Sequence, residues 1–383
     1  MKISIRSTVG IVAAGALALG SLVAISAPAQ AKVKLPNGCK NLTIGFFGAL
    51  TGDYGNLGKN ISQGAELAVA QYGLKAHKVN VGFVSFDSQG DPAQAPALAQ
   101  QAIKNKCLVG LVGPAFSGES KAADPIFQRG GLPTITPSAT NPDLSKQGWK
   151  VFHRALGTDA IQGSQGAKYI KNTLKATKVA VIDDASEYGK GLADVVAASL
   201  GSSLVVTRTS LDPKSPDFSS TVSQIKAGGA TAVFYGGYYS DAGRLVKQLR
   251  DSGVKAAFMS GDGTLDAGFV TAGGSATDGS VVTCACAPID TTKTGKAFKA
   301  AYKTRFGVAD GTYSPEAYDA ANFLLAAIQH GKVSRAAINK YISKKSWTGI
   351  TKTLKFTKTG EIAGGAIFAY VYKNGTNTAS LIK

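Results

Sequence analysis

From residue 42 onward, short apolar runs alternate with stretches whose apolar positions recur every three or four residues, the patterns of buried strand and amphipathic helix. Leu42 to Leu50 reads as a strand ending in glycine, Ile61 to Tyr72 as a helix, and Val79 to Phe86 as a strand ending at Asp87. Pro92 to Asn105 follows as a helix, Leu108 to Val112 as a strand, Ser120 to Arg129 as a helix and Pro133 to Thr136 as a strand. The pattern then repeats. Gln162 to Thr173, Gly189 to Leu200, Phe218 to Ala227 and Asp241 to Ser252 read as helices, between strands at Lys178 to Asp183, Leu204 to Leu211, Ala232 to Tyr235 and Ala257 to Met259. Strands separated by single helices form parallel sheets with right-handed crossovers. Two such runs predict an α/β chain of two doubly wound, Rossmann-like lobes. With no low-complexity linker between them, the lobes are expected to join through a hinge of several short strand-like crossings.

Ahead of this region, Lys2 and Arg6 precede an apolar run from Val9 to Ile25 that ends in Ala27-Pro28-Ala29-Gln30-Ala31. This is the layout of a secretory leader cleaved after Ala31. The run is short for a membrane span and no second long apolar stretch follows. A soluble, exported chain starting at Lys32 is expected. No cysteine stands at the cleavage point, so lipid attachment is not indicated.

About 350 residues then remain, enough for two cores, since single cores stop growing near ~250 to 300 residues. The formal net charge of +18 falls to +16 without Lys2 and Arg6. Basic residues are scattered and no basic run is interleaved with aromatics, so nucleic acid is not expected as a partner. Four cysteines in an exported chain favour disulfides over metal ligation. Cys39 and Cys107 precede the first and third strands, which are neighbours in a sheet of order 2-1-3, and are expected to pair. Cys284 and Cys286 face one side of a strand. They are expected either to form a local disulfide or to stay as thiols, and no metal or cofactor is expected.

Ligands of such sheets bind beyond the carboxyl ends of the strands, near helix N-termini. Those ends carry Gly113-Pro114-Ala115-Phe116-Ser117-Gly118 and Pro137-Ser138-Ala139-Thr140-Asn141 in the first half. Hydroxyls and free N–H groups there suit a carboxylate. The second half supplies Gly236-Gly237-Tyr238-Tyr239-Ser240-Asp241 and Ser260-Gly261-Asp262-Gly263, a set of phenols and carboxylates. A hydroxyl-rich lobe thus faces an acidic and aromatic one.

In these segments, and in Gly48-Ala49-Leu50-Thr51-Gly52, Tyr188-Gly189-x-Gly191 and Tyr318-Asp319-Ala320, the chain resembles the periplasmic branched-chain amino acid (Leu/Ile/Val) binding proteins of ABC transporters, of the type I periplasmic-binding fold. The resemblance implies lobes of 32–157 plus about 286–362 and of 158–285 plus about 363–383. It implies that the Ser117 hydroxyl and the Thr140 hydroxyl and amide hold a ligand carboxylate. The Ser138 carbonyl and Thr140 hydroxyl would contact the ammonium, Asp262 would be its counter-ion, and Tyr238 would close over the carboxylate. Tyr188 and Tyr313 match positions lining the side-chain pocket, and Phe116 joins the ligand-contact set. Two departures stand out: the acidic position, often Glu, is Asp262, and the rim position, commonly aromatic, falls on Leu57. The implied function is capture of a branched-chain or related aliphatic amino acid by a monomer in the periplasmic or cell-envelope space, with delivery to a membrane permease. An amide, urea or aromatic carboxylate is the alternative ligand, and a ligand-sensing receptor module the alternative role.

Each of these residues also has a plainer reading. Ser117 and Thr140 suit helix caps, and Asp262 between two glycines suits a tight turn. Tyr188 and Tyr313 suit packing, Tyr238 lobe surface, and Leu57 core. Gly52-x-x-Gly55-x-x-Gly58 lacks the ending of a phosphate loop and reads as a flexible turn. For an enzyme the chain offers little: His77, His153 and His330 are its only histidines, and none stands beside a nucleophile motif at a strand end.

Overall fold

The computed structural model describes residues 34–73, 79–373 and 380–381. The leader, its cleavage site and His77 lie outside the described residues. The first lobe is built on β1 (Leu42–Gly48), α1 (Gly55–Gly73), β2 (Val81–Asp87), α2 (Ala95–Lys104), β3 (Leu108–Val112), α3 (Ser117–Gly130), β4 (Thr134–Thr136) and β5 (Phe152–Arg154). Its sheet runs β2-β1-β3-β4-β5, all parallel. The central strands β1 and β3 are buried on both faces, which is why they read as nearly unbroken apolar runs.

The chain then crosses to a second sheet. Here α4 (Asp159–Asn172), β6 (Val179–Asp183), α5 (Glu187–Leu200), β7 (Val205–Ser210), α6 (Ser219–Ala227), β8 (Ala232–Gly236), α7 (Tyr239–Asp251), β9 (Ala257–Ser260), α8 (Ala267–Gly273) and β10 (Val281–Cys284) follow. It returns through α9 (Lys293–Phe306), α10 (Ser314–Gln329), α11 (Arg335–Ile342) and the hairpin β11 (Ser346–Thr348) and β12 (Thr353–Lys355), then crosses once more to β13 (Phe368–Val371) and β14 (Ser380–Leu381). The second sheet runs β14-β13-β10-β9-β8-β6-β7, with β13 antiparallel to β10. The two lobes are therefore joined by three short crossings.

The glycine-spaced segment expected to be a flexible turn is mostly helix, because Gly55 and Gly58 open α1. The reason is proximity: a Cβ on Gly58 would stand 1.6 Å from the Ala49 carbonyl oxygen. Gly64, further along α1, lets that helix lie against the start of α10, where a Cβ would stand 2.1 Å from the Ser314 carbonyl oxygen. Each close approach removes a backbone segment from water that a side chain would hold open.

Both cysteine pairs are disulfides. Cys39–Cys107 ties the chain ahead of β1 to the chain ahead of β3, Cα to Cα 5.7 Å, and such a link contributes about 2 to 4 kcal/mol. Cys284–Cys286 closes a two-residue step at the end of β10. No helix among the described residues is long and apolar enough to cross a membrane.

Candidate functional site

The loops after β3 and β4 meet at the mouth of the first lobe. Thr136 donates from its hydroxyl to the Pro114 carbonyl at 2.7 Å, and Ser138 does the same to the Ala115 carbonyl at 2.7 Å. The Asn141 N–H donates to the Ser117 hydroxyl at 3.3 Å, where Ser117 begins α3. Arg154 on β5, fully buried, fastens the second loop from beneath by donating to the carbonyls of Ala139 at 3.0 Å and Asn141 at 2.7 Å. Its charge is answered by Glu361 at the last crossing. Beneath the first loop, Glu119 accepts the Phe116 N–H at 3.3 Å and the Ser88 hydroxyl. Burial pushes its carboxyl up to about 8.

The second lobe presents Tyr188 from the start of α5, Tyr238 from the start of α7, and Asp262 after β9. Asp262 is buried, and its Oδ1 accepts the Gln162 amide at 2.6 Å and the Tyr188 hydroxyl at 3.1 Å. Desolvation raises its pKa, while the Tyr313, Gln162 and Tyr188 donors pull it back. Asp159, which opens α4, is also fully buried, and desolvation and the Asp262 charge raise its carboxyl well above the usual range. Both its oxygens and the Thr140 hydroxyl lack a partner of normal hydrogen-bond geometry, although Thr140 lies close enough to favour the charged carboxylate. Buried polar atoms without partners are uncommon in native proteins and mark a place where a polar group is wanted.

Leu57, Phe116, Ser117, Ser138, Tyr188, Tyr238 and Asp262 line one cavity between the lobes. Thr140 sits beside it at Asp159, whereas Tyr313, expected in the side-chain pocket, does not line it but lines a larger cavity of about 550 Å³, its hydroxyl near enough to Asp262 to lower that carboxyl's pKa. The cavity between the lobes measures about 10 Å³, room for no more than a water molecule. The Tyr238 ring fills the cleft, packed 4.4 Å from Tyr54, 5.2 Å from Tyr188 and 5.4 Å from Phe116 between ring centroids. A ligand of amino-acid size therefore enters only when the lobes part and Tyr238 moves with its lobe.

Sequence reasoning did not single out Tyr54, Asp159, Gln162 or Arg154. Leu57, at the rim position that is commonly aromatic, lines the cavity as an apolar contact, and Tyr54, three residues earlier and just ahead of α1, brings an aromatic ring against Tyr238. Arg154 ends β5, a three-residue strand too short to show in the apolar pattern, and Asp159 opens α4 just after the crossing, where no motif points to it. Their signal was available in the row Arg154-Ala155-Leu156-Gly157-Thr158-Asp159, an ion of each sign in an otherwise uncharged segment. Among the described residues, no group of three or more His, Cys, Asp or Glu side chains could hold a metal ion.

Residues 41–377 match the profile of a family described as periplasmic binding protein. The chain is 32% identical over 349 residues to the Leu/Ile/Val-binding protein homolog 3 of Brucella melitensis, a match covering 88% of this chain and 92% of that one. It is 29% identical over 346 residues to the Leu/Ile/Val-binding protein of Escherichia coli, covering 88% and 93%. Among solved structures it resembles the branched-chain amino acid transporter substrate binding protein LivJ of Streptococcus pneumoniae in complex with isoleucine, with TM-score 0.83, 25% identity, and coverage of 90% and 99%.

Proposed function

The chain belongs to the periplasmic binding protein family, and from that premise we propose that it is the substrate-binding protein of an ABC importer, closing its two lobes over a branched-chain amino acid. The observation that carries the reading is the division of labour across the cleft. One lobe offers Ser117, Thr140 and the N–H groups at the start of α3, and the other offers the buried carboxylates Asp159 and Asp262. An anion is favoured at a helix N-terminus. An ammonium is favoured beside two buried carboxylates, the more so where one of them, Asp159, has no hydrogen-bond donor of normal geometry.

On this reading the ligand carboxylate rests on Ser117 and Thr140 with Tyr238 closing over it, and the ammonium sits among the Ser138 carbonyl, Thr140, Asp159 and Asp262. Tyr188 and Gln162 hold Asp262 in place, so that a carboxylate one methylene shorter than Glu still meets the ligand. Leu57, Phe116 and Tyr54 enclose an aliphatic side chain. The lobes divide at the crossings near 157, 285 and 362. The protein acts as a monomer outside the cytoplasm, behind a leader cleaved after Ala31, and docks on a membrane permease. It binds and releases without chemical change, through a cleft of hydrogen-bond donors and carboxylates.

A thermal-shift screen tests the proposal. Leucine, isoleucine or valine should raise the melting temperature by mass action, since they bind only the native state. A rise with benzoate, urea or an amide alone would replace the amino acid as ligand.

A further inference from the structure

The Cys284–Cys286 disulfide lies where the three interlobe crossings touch one another. A Cβ on Gly157, in the first crossing, would stand 3.7 Å from the Ala285 Cβ in the second and 3.6 Å from the Gly365 Cα in the third. Residues 285 to 287 are also fastened to both lobes. The Ala287 N–H donates to Glu316 of α10 at 2.9 Å, Lys352 Nζ donates to the Ala285 carbonyl at 3.4 Å, and the Tyr370 hydroxyl of β13 donates to the Cys286 carbonyl at 3.3 Å. Lobe opening must rotate backbone dihedrals in these crossings, because hinges are the few residues that absorb such changes. A covalent ring spanning residues 284 to 286 removes freedom from the segment that has to bend.

The two cysteines differ in their surroundings. Cys284 is fully buried, whereas Cys286, 7% exposed, is among the residues lining a solvent-open cavity of about 550 Å³ together with Asn56, Leu265, Ile289, Glu316 and Tyr370. The Cys286 N–H donates to the Cys284 sulfur at 3.2 Å. That donor is placed to stabilise negative charge on Cys284 if the bond between the sulfurs is cleaved.

We propose that Cys284–Cys286 is a thiol–disulfide exchange site, open to a small dithiol reductant through this cavity, and that its redox state sets how far the lobes open. One thiolate of the dithiol attacks Sγ of Cys286, forming a mixed disulfide and expelling Cys284 as a thiolate that then takes a proton. The second thiol of the reductant displaces Cys286, leaving two cysteine thiols and the oxidised, cyclic reductant, a two-electron exchange. With the ring gone, the open ensemble gains conformations that the closed form does not, and the closed population falls. Apparent ligand affinity falls with the fraction of protein competent to close.

The exchange and opening arms of the test are independent of the ligand, and the affinity arm rests on the proposed function. Folded protein is treated with dithiothreitol, alkylated and mapped by mass spectrometry, with circular dichroism confirming the fold. Small-angle scattering of the ligand-free protein and leucine titrations are run on oxidised, reduced and reoxidised samples and on a C284S/C286S variant. Alkylation of Cys284 and Cys286 in folded protein, a larger radius of gyration, and leucine affinity weaker by about threefold or more are expected. Reoxidation should restore wild type, and the variant should stay in the weaker state with or without reductant, which separates this pair from Cys39–Cys107. Cysteines 284 and 286 that resist alkylation in the folded protein, or the same radius of gyration in both redox states, would overturn the proposal. If neither form binds leucine, the functional reading fails while alkylation and scattering still decide the exchange site. If the variant does not fold, reduced wild type decides alone.

Discussion

The Tyr188 hydroxyl donates to Oδ1 of Asp262 at 3.1 Å and accepts the Gly263 N–H at 3.1 Å, so one phenol holds both the carboxylate and the turn that carries it. A hydrogen bond to a charged group is worth about 1.5 to 3 kcal/mol. Tyr188→Phe keeps the ring packed against Tyr238 and removes both the donor to Asp262 and the acceptor of the Gly263 N–H. Leucine affinity is expected to weaken by roughly tenfold or more, and the free protein to melt lower because two buried hydrogen bonds are lost. Unchanged affinity in a calorimetric titration would reduce Tyr188 to a packing residue.

Asp159 is expected to separate stability from binding. Its carboxylate is fully buried with both oxygens short of donors, a cost to the free protein that Asn relieves. Because burial raises the folded pKa above that of the unfolded chain, the cost is absent below the usual carboxylate range and grows as pH rises above it. Asp159→Asn should therefore melt higher than wild type at neutral pH yet bind leucine more weakly. Its affinity for 4-methylpentanoate, which lacks the ammonium, should be unaffected, and an equal loss for both compounds would argue against an ammonium contact.

Two buried groups give the stability curve opposite slopes. Glu119, at about 8 in the folded protein against 4.5 as a free group, contributes stability that is fully present below 4.5 and is lost as pH rises through 8. His153, pushed down to about 4 by burial from 6.5, has the reverse sign: its contribution is full above 6.5 and is lost as pH falls through 4. Urea unfolding between pH 4 and 9 should show Glu119→Gln gaining on wild type as pH rises. Parallel curves for variant and wild type would show that Glu119 titrates alike in the folded and unfolded chains.

The alternation of apolar runs and amphipathic stretches made the two doubly wound sheets legible, because strands such as β1 and β3, buried on both faces, are nearly unbroken apolar runs too short for helices and bounded by amphipathic stretches. The strand order in turn made Cys39–Cys107 readable, since neighbouring parallel strands start side by side. Contacts between distant segments were not readable. Gly58 looks like a turn residue until Ala49 is seen against it, and Tyr54 looks like loop until the other lobe brings Tyr238 over its face. Asp159 escaped notice for a related reason, as a helix-opening aspartate is ordinary until its lack of partners is known.

Isothermal titration of leucine into wild type and Asp262→Asn tests most directly whether Asp262 is the counter-ion of a bound amino acid. Asn preserves shape and suits a turn equally well, but leaves a buried ammonium without its countercharge at a cost of about 3 to 5 kcal/mol. Wild type is expected to bind leucine, and the variant to lose roughly two to four decades of affinity while melting at or above the wild-type temperature. Equal affinities would make Asp262 a turn residue, and a wild type that takes up neither leucine, isoleucine nor valine would contradict the account as a whole.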